Sequence, residues 1–218
     1  MGLDFSTLSG YTDLLWIGTL WTVVLTVASA ALAFVVGIAF ALAVLYSPRW
    51  LVYPVRLFSW VFMGTPLLLQ LYLIYFGLGQ IGVFLPAMVA GIIGLGLHFA
   101  VYNADVIRAG LAAVDPGQHE GARSLGLSRF QTFQRVIVPQ AVRSVTPPLG
   151  NNQIALLKES ALVSVLGVTE LVHAAQLAIS ETYRPFEFYI AAAVLYYVLN
   201  LILEFGLRRI ERSVEATR

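Results

Sequence analysis

The chain has 218 residues, of which 59% are apolar or aromatic and only 11% are charged. An ordinary soluble domain carries about 25% charged residues, and so few charges could not cover a soluble fold of this length. The mean hydropathy of +0.81 therefore points to lipid as the main surrounding medium. A net charge of +1 is too small to point to a nucleic-acid partner, and the absence of cysteine excludes disulfides, thiolate catalysis and cysteine-ligated metals.

The N-terminal segment holds Asp4 and Asp13 but no Lys or Arg. It lacks the basic region of a cleaved signal peptide, so the first apolar stretch is expected to stay in the mature protein. Residues 14–46 are free of Asp, Glu, Lys and Arg. As a helix they extend about 50 Å at 1.5 Å per residue, which predicts one long, tilted span across roughly 30 Å of hydrocarbon. Residues 57–104 are also uncharged, but Gly77, Gly79, Gln80, Gly82 and Pro86 punctuate them. That pattern reads as a turn between spans over 57–78 and 84–111. The glycines of the second of these, Gly91, Gly94 and Gly96, are placed to let helices approach closely. Residues 144–180 are mostly apolar, interrupted by Pro147-Pro148-Leu149-Gly150-Asn151-Asn152-Gln153 and by Lys158-Glu159-Ser160. They predict a broken fourth crossing with a partly re-entrant second piece. Residues 188–207 form the last span, with Glu204 near its end.

Basic residues orient these spans. Arg49 and Arg56 follow the first; Arg108, Arg123, Arg129, Arg135 and Arg143 lie between the third and fourth; Arg208, Arg209, Arg212 and Arg218 end the chain. Only Arg184 falls on the opposite side, and Lys158 lies within the membrane. The expectation is an all-α membrane protein, a single domain over residues 1–218. It has five transmembrane helices, with the N-terminus out and the C-terminus in.

The loop between spans three and four is the one sizeable element outside the membrane. Asp115-Pro116-Gly117-Gln118 has the cap, first-turn Pro and third-position Gln of a helix start, and Gly126 suits the left-handed residue that ends it. Ser128-Arg129-Phe130-Gln131 repeats the start signal. A short helix–turn–helix follows, either a surface connector or a docking element for a cytoplasmic partner. Catalysis has no foothold in the chain. Lys158 is the sole lysine and no glycine-rich loop precedes it, so the P-loop is absent. The His119-Glu120 pair meets Arg123 where a zinc motif needs His. Ser124 has Ala122 where a nucleophile elbow needs Gly.

Inside the membrane, charges are costly and demand partners or a watery cavity. The breaks at Lys158-Glu159-Ser160 and Gly64-Thr65-Pro66 are therefore expected to meet near the midplane. They would form a small polar cavity, with Thr65, Gln70 and Ser164 adding neutral hydrogen bonds. Alternatively, Lys158 and Glu159 form a structural ion pair. His98 is read either as a hydrogen-bonded packing residue or as a ligand. Asp105 and Arg108 are expected to pair across one helical turn.

Glu120-Gly121-Ala122, three residues, Gly126, nine residues and Val136-Ile137-Val138-Pro139 together resemble the EAA loop of ABC-importer permeases. Gly121, Val136 and Val138 depart from the usual Ala, Ile and Leu. Gly64-Thr65-Pro66-Leu67, Asp105-Val106-Ile107-Arg108 and the segment from Leu157 to Val165 are similar to the polar amino-acid branch of that family. Met63 and His98 stand where relatives often have Arg and Asn. The resemblance implies a non-enzymatic permease subunit of a bacterial inner-membrane importer for a polar amino acid. It implies a second permease subunit, two cytoplasmic ATPase subunits that bind ATP and Mg, and an extracytoplasmic binding protein. It also implies that Glu120, Gly121, Ala122 and Gly126 couple to the ATPase, and that Lys158, Glu159 and Ser160 line the substrate path. A self-contained secondary transporter is the alternative. Inverted-repeat carriers need two matched halves, which five spans do not supply.

Overall fold

The computed structural model describes residues 2–216, without the side chain of Glu215; Arg218, counted above among the basic residues, lies outside them. A 3₁₀ turn, Phe5–Tyr11, leads into α1, Thr12–Tyr46. After Pro48 come α2, Arg49–Gly64, and α3, Leu67–Gln80, whose middle is a π segment, Leu73–Gly77. Next are α4, Ala87–Ala112, and α5, Pro116–Ser124. Then come α6, Arg129–Leu166, and α7, Leu171–Thr182. The chain ends with α8, Pro185–Ala216. Among the described residues three helices are long and apolar enough to cross a membrane, or five if each bent pair, α2–α3 and α6–α7, is one crossing.

Polar latches define the two ends of the bundle. At one end, Glu187 at the start of α8 accepts from the Asp4 amide (3.0 Å) and the Arg184 guanidinium (3.1 Å), and Tyr11 donates to Glu181. The Tyr11 ring meets Phe188 edge-on. The Asp4 carboxyl is held below the ordinary aspartate value, chiefly because the Ser6 hydroxyl donates to it. At the other end, Tyr46 of α1 meets Phe133 of α6 edge-on, and Gln140 of α6 donates to Gln118 of α5.

Between these ends α1 and α4 pack closely, and small residues permit it. A Cβ on Gly37 would stand 3.0 Å from the Ala100 carbonyl, and one on Gly96 would stand 2.5 Å from Leu32. The expected packing role of the α4 glycines holds, each toward a different neighbour. Gly91 lies under Val163 of α6 and Gly94 under Leu71 of α3. Leu25, Leu71, Leu95, Leu156 and Val163 form the buried centre.

Two expectations change. Pro147 and Pro148 do not break α6, which runs through them. Proline is tolerated in a membrane helix whose neighbours satisfy the freed groups, and packing on α4 supports this stretch. Val145 lies against Gly110, and Asn152 donates to Asn103 at 3.0 Å. The chain does not break at Lys158–Ser160 either. It tightens into a 3₁₀ segment, Ser160–Leu166, and turns at Gly167 (φ +80°), so that α7 departs by 47°. The bend at Thr65–Pro66 is far sharper, 114° between α2 and α3.

Candidate functional site: two helix interruptions and a capped loop

At the α2–α3 bend, the last carbonyls of α2 lose their helical partners. The Gln70 side-chain amide replaces them, donating to Phe62 O (2.8 Å), Thr65 O (3.1 Å) and Thr65 Oγ1 (2.9 Å). The Thr65 hydroxyl donates back to Val61 O. Gln70 Oε1 stands 3.0 Å from His98 Nδ1 on α4. As an amide oxygen can only accept, His98 carries its proton on Nδ1. Gln70 and His98 are buried while Thr65 is exposed. Thr65 and Gln70 were expected to share one helix break, and the structure adds His98 to them in one chain of hydrogen bonds.

The second interruption holds Lys158, Glu159, Ser160 and Ser164. Ser160 and Ser164 are buried, their hydroxyls donating to Leu157 O and Ala161 O (2.7 Å each). This 3₁₀ segment does reach α3, but through apolar side chains: Val163 and Leu166 share the core with Leu67 and Leu71. Lys158 points elsewhere. It lines a groove of about 560 Å³ with Tyr189, Tyr196, Tyr197 and Asn200 of α8. Thr65, Gln70 and His98 do not line that groove, so the Lys158 groove is not the cavity expected between the two breaks. Nor do Lys158 and Glu159 pair with each other. Arg108 pairs with Asp105, as expected, and Arg184 with Glu187 and Arg208 with Glu204.

Sequence reasoning passed over Glu170 and Tyr196. Glu170 is completely buried, and its carboxyl accepts from Val172 N (3.0 Å), His173 N (2.8 Å) and the Tyr196 hydroxyl (2.8 Å). A lone carboxyl in an apolar stretch was the available signal.

The α5 loop is closed at both ends. Asp115 accepts from Gly117 N at 2.6 Å, while the Gln118 side chain turns to Gln140 instead of completing a capping box. At the other end Leu127 N donates to Ala122 O and Gly126 N to Arg123 O, with Gly126 at φ +83°. This is the Schellman arrangement. Ser128 and Gln131 form the capping box that starts α6. Ala122 is buried, whereas Glu120 and Gly121 are exposed. The loop also presents Leu125, 85% exposed, and Phe130, 71% exposed, two apolar anchors the motif reading did not single out.

The profile of the family described as binding-protein-dependent transport system inner membrane component matches residues 33–216. The chain belongs to that family. As a member of this binding-protein-dependent family it is a transport component and not an enzyme, and a multi-pass membrane protein. The chain is 36% identical over 217 residues to the arginine transport system permease protein ArtQ of Bacillus subtilis (strain 168), covering 99% of each. It is 38% identical to the putative glutamine transport system permease protein GlnP of Rickettsia bellii (strain RML369-C), covering 90% of this chain and 91% of that one. A solved amino acid ABC transporter with histidines superposes with a TM-score of 0.91 at 41% identity, over 98% of this chain and 100% of that one.

Proposed function

We propose that the chain is the membrane-spanning subunit of an ATP-binding-cassette importer for a polar amino acid, in a bacterial inner membrane. The observation that carries this reading is likeness from end to end, to amino-acid permeases in sequence and to an amino acid ABC transporter in structure. In this reading α1, α2–α3, α4, α6–α7 and α8 make five crossings. The end of the bundle that holds α5 and the end of α8 faces the cytoplasm, because the basic residues gather there.

Two copies, or this chain and a similar one, form the pathway. A binding protein docks at the end formed by Asp4, Tyr11 and the α7–α8 turn. Two ATPase subunits bind ATP and Mg. Glu120, Gly121, Ala122 and Gly126 form the coupling element, with Leu125 and Phe130 as its apolar anchors. A helix capped at both ends moves as a rigid body and can carry the ATPase's motion to α4 and α6. Thr65, Gln70 and His98 shape one wall of the path, and Lys158, Glu159, Ser160 and Ser164 another. The two walls face a common space only when a second subunit closes the bundle. Ammonium and carboxylate of an amino acid match Glu159 and Lys158 in sign.

The test is copurification with an ATPase and a binding protein, followed by a panel of amino acids screened for stimulation of ATP turnover. Stimulation by one polar amino acid supports the reading, whereas turnover indifferent to every amino acid and to the binding protein contradicts it.

A further inference from the structure

The Glu170 carboxyl sits at a junction of four helices. Where α7 begins inside the bundle, its first N–H groups have no helical acceptor. Leu171 N donates to Thr22 Oγ1 of α1 at 3.0 Å, and Glu170 takes Val172 N and His173 N. The close approach of α1 depends on Gly18, where a Cβ would lie 3.2 Å from Glu170 O and 2.7 Å from Ala174 Cβ. The third donor to Glu170, Tyr196, comes from α8, and its hydroxyl also stands 3.5 Å from Ser160 Oγ on α6. Tyr196 has a second aspect: it lines the groove that contains Lys158. One side chain thus connects a completely buried carboxyl to the wall of an open, lysine-bearing groove.

We infer that Glu170 is a positioning residue for transport: by holding the Tyr196 hydroxyl it fixes the α8 wall of the Lys158 groove, and so the site that a substrate carboxylate meets. The inference rests on the permease reading. Capping alone does not require Tyr196, because the two amides of α7 are satisfied by the carboxyl without it. Conversely, the tyrosine ring could pack in the groove wall without its hydroxyl. The 2.8 Å bond ties the two, and it leaves the ring one orientation while α7 stays capped.

The test uses the full complex with its ATPase and binding protein in proteoliposomes. Ala193→Cys, on the groove wall of a chain with no other cysteine, is the parent. Two quantities are read: the rate at which a water-soluble thiol reagent modifies Cys at position 193 of the permease chain, and the KM for amino-acid uptake. Tyr196→Phe leaves the α7 cap in place. It is expected to change the modification rate and raise KM by about tenfold, the worth of one buried hydrogen bond. Adding Tyr196→Phe to Glu170→Ala, which leaves the hydroxyl no acceptor at position 170, should raise KM no further, because both remove one interaction. If Glu170→Ala fails to assemble, Tyr196→Phe alone decides. An unchanged rate and KM in Tyr196→Phe overturns the inference, as does a loss of thermal stability with both quantities unmoved. A parent complex that does not transport at all would instead contradict the permease reading.

Discussion

Gln70 shows what a sharp helix bend demands of a single side chain. A turn of 114° strands carbonyls that lipid cannot satisfy, and one amide answers two of them while its oxygen faces His98. Gln70→Leu keeps the volume and removes every one of these bonds. It is expected to lower stability by about 1–3 kcal/mol, the cost of buried carbonyls left without donors, and detergent thermal unfolding measures it. Gln70→Glu keeps the oxygen for His98 but sets a second oxygen against Phe62 O and Thr65 O. It should be at least as damaging, and a stable Gln70→Leu protein would show that the bend is held by packing alone.

Among the elements, α5 is the one whose local chemistry was readable in advance. Its Asp115 cap and left-handed Gly126, and the Ser128–Gln131 box that starts α6 just after it, are all local, set by residues within a few positions of one another. Replacing Gly126 by Val forces a branched residue into φ +83°, which costs about 1–2 kcal/mol at that residue, and it should uncouple uptake from ATP turnover while the protein still inserts. Glu120→Lys reverses the charge on the exposed face of α5 and should do the same. Gly121→Ala should be tolerated, since a Cβ there meets nothing within 4 Å. ATPase crosslinking and vesicle uptake read all three. The longer elements were legible where length and apolarity decide, as in α1, α4 and α8. The continuity of α6 was not, because Pro147-Pro148 breaks a helix in isolation and persists here only through neighbours on α4. The angle at Thr65–Pro66 was not legible either: a proline marks an interruption, but packing sets its direction. Glu170 was missed for the same reason. Its partner Tyr196 lies 26 residues away, and the Thr22 that caps the adjoining Leu171 lies 149 away, beyond any local pattern.

For the whole molecule, the account requires that the two ends of the bundle face different compartments. Single cysteines at positions 49, 123 and 212 should be labelled from the cytoplasmic side, and those at 8, 85 and 184 from the outer side. The chain has no native cysteine to confuse the result. Outward labelling at position 123 would invert the topology and detach α5 from any cytoplasmic ATPase. The central claim, that this chain forms an amino-acid path driven by a separate ATPase, meets its most direct test in proteoliposomes holding permease, ATPase and binding protein. Accumulation of a radiolabelled polar amino acid is followed with and without ATP on the ATPase side. The account predicts concentrative uptake that needs ATP, needs the binding protein and stops in Gly126→Val. Uptake by the permease alone, driven by an ion gradient and indifferent to ATP, would contradict it.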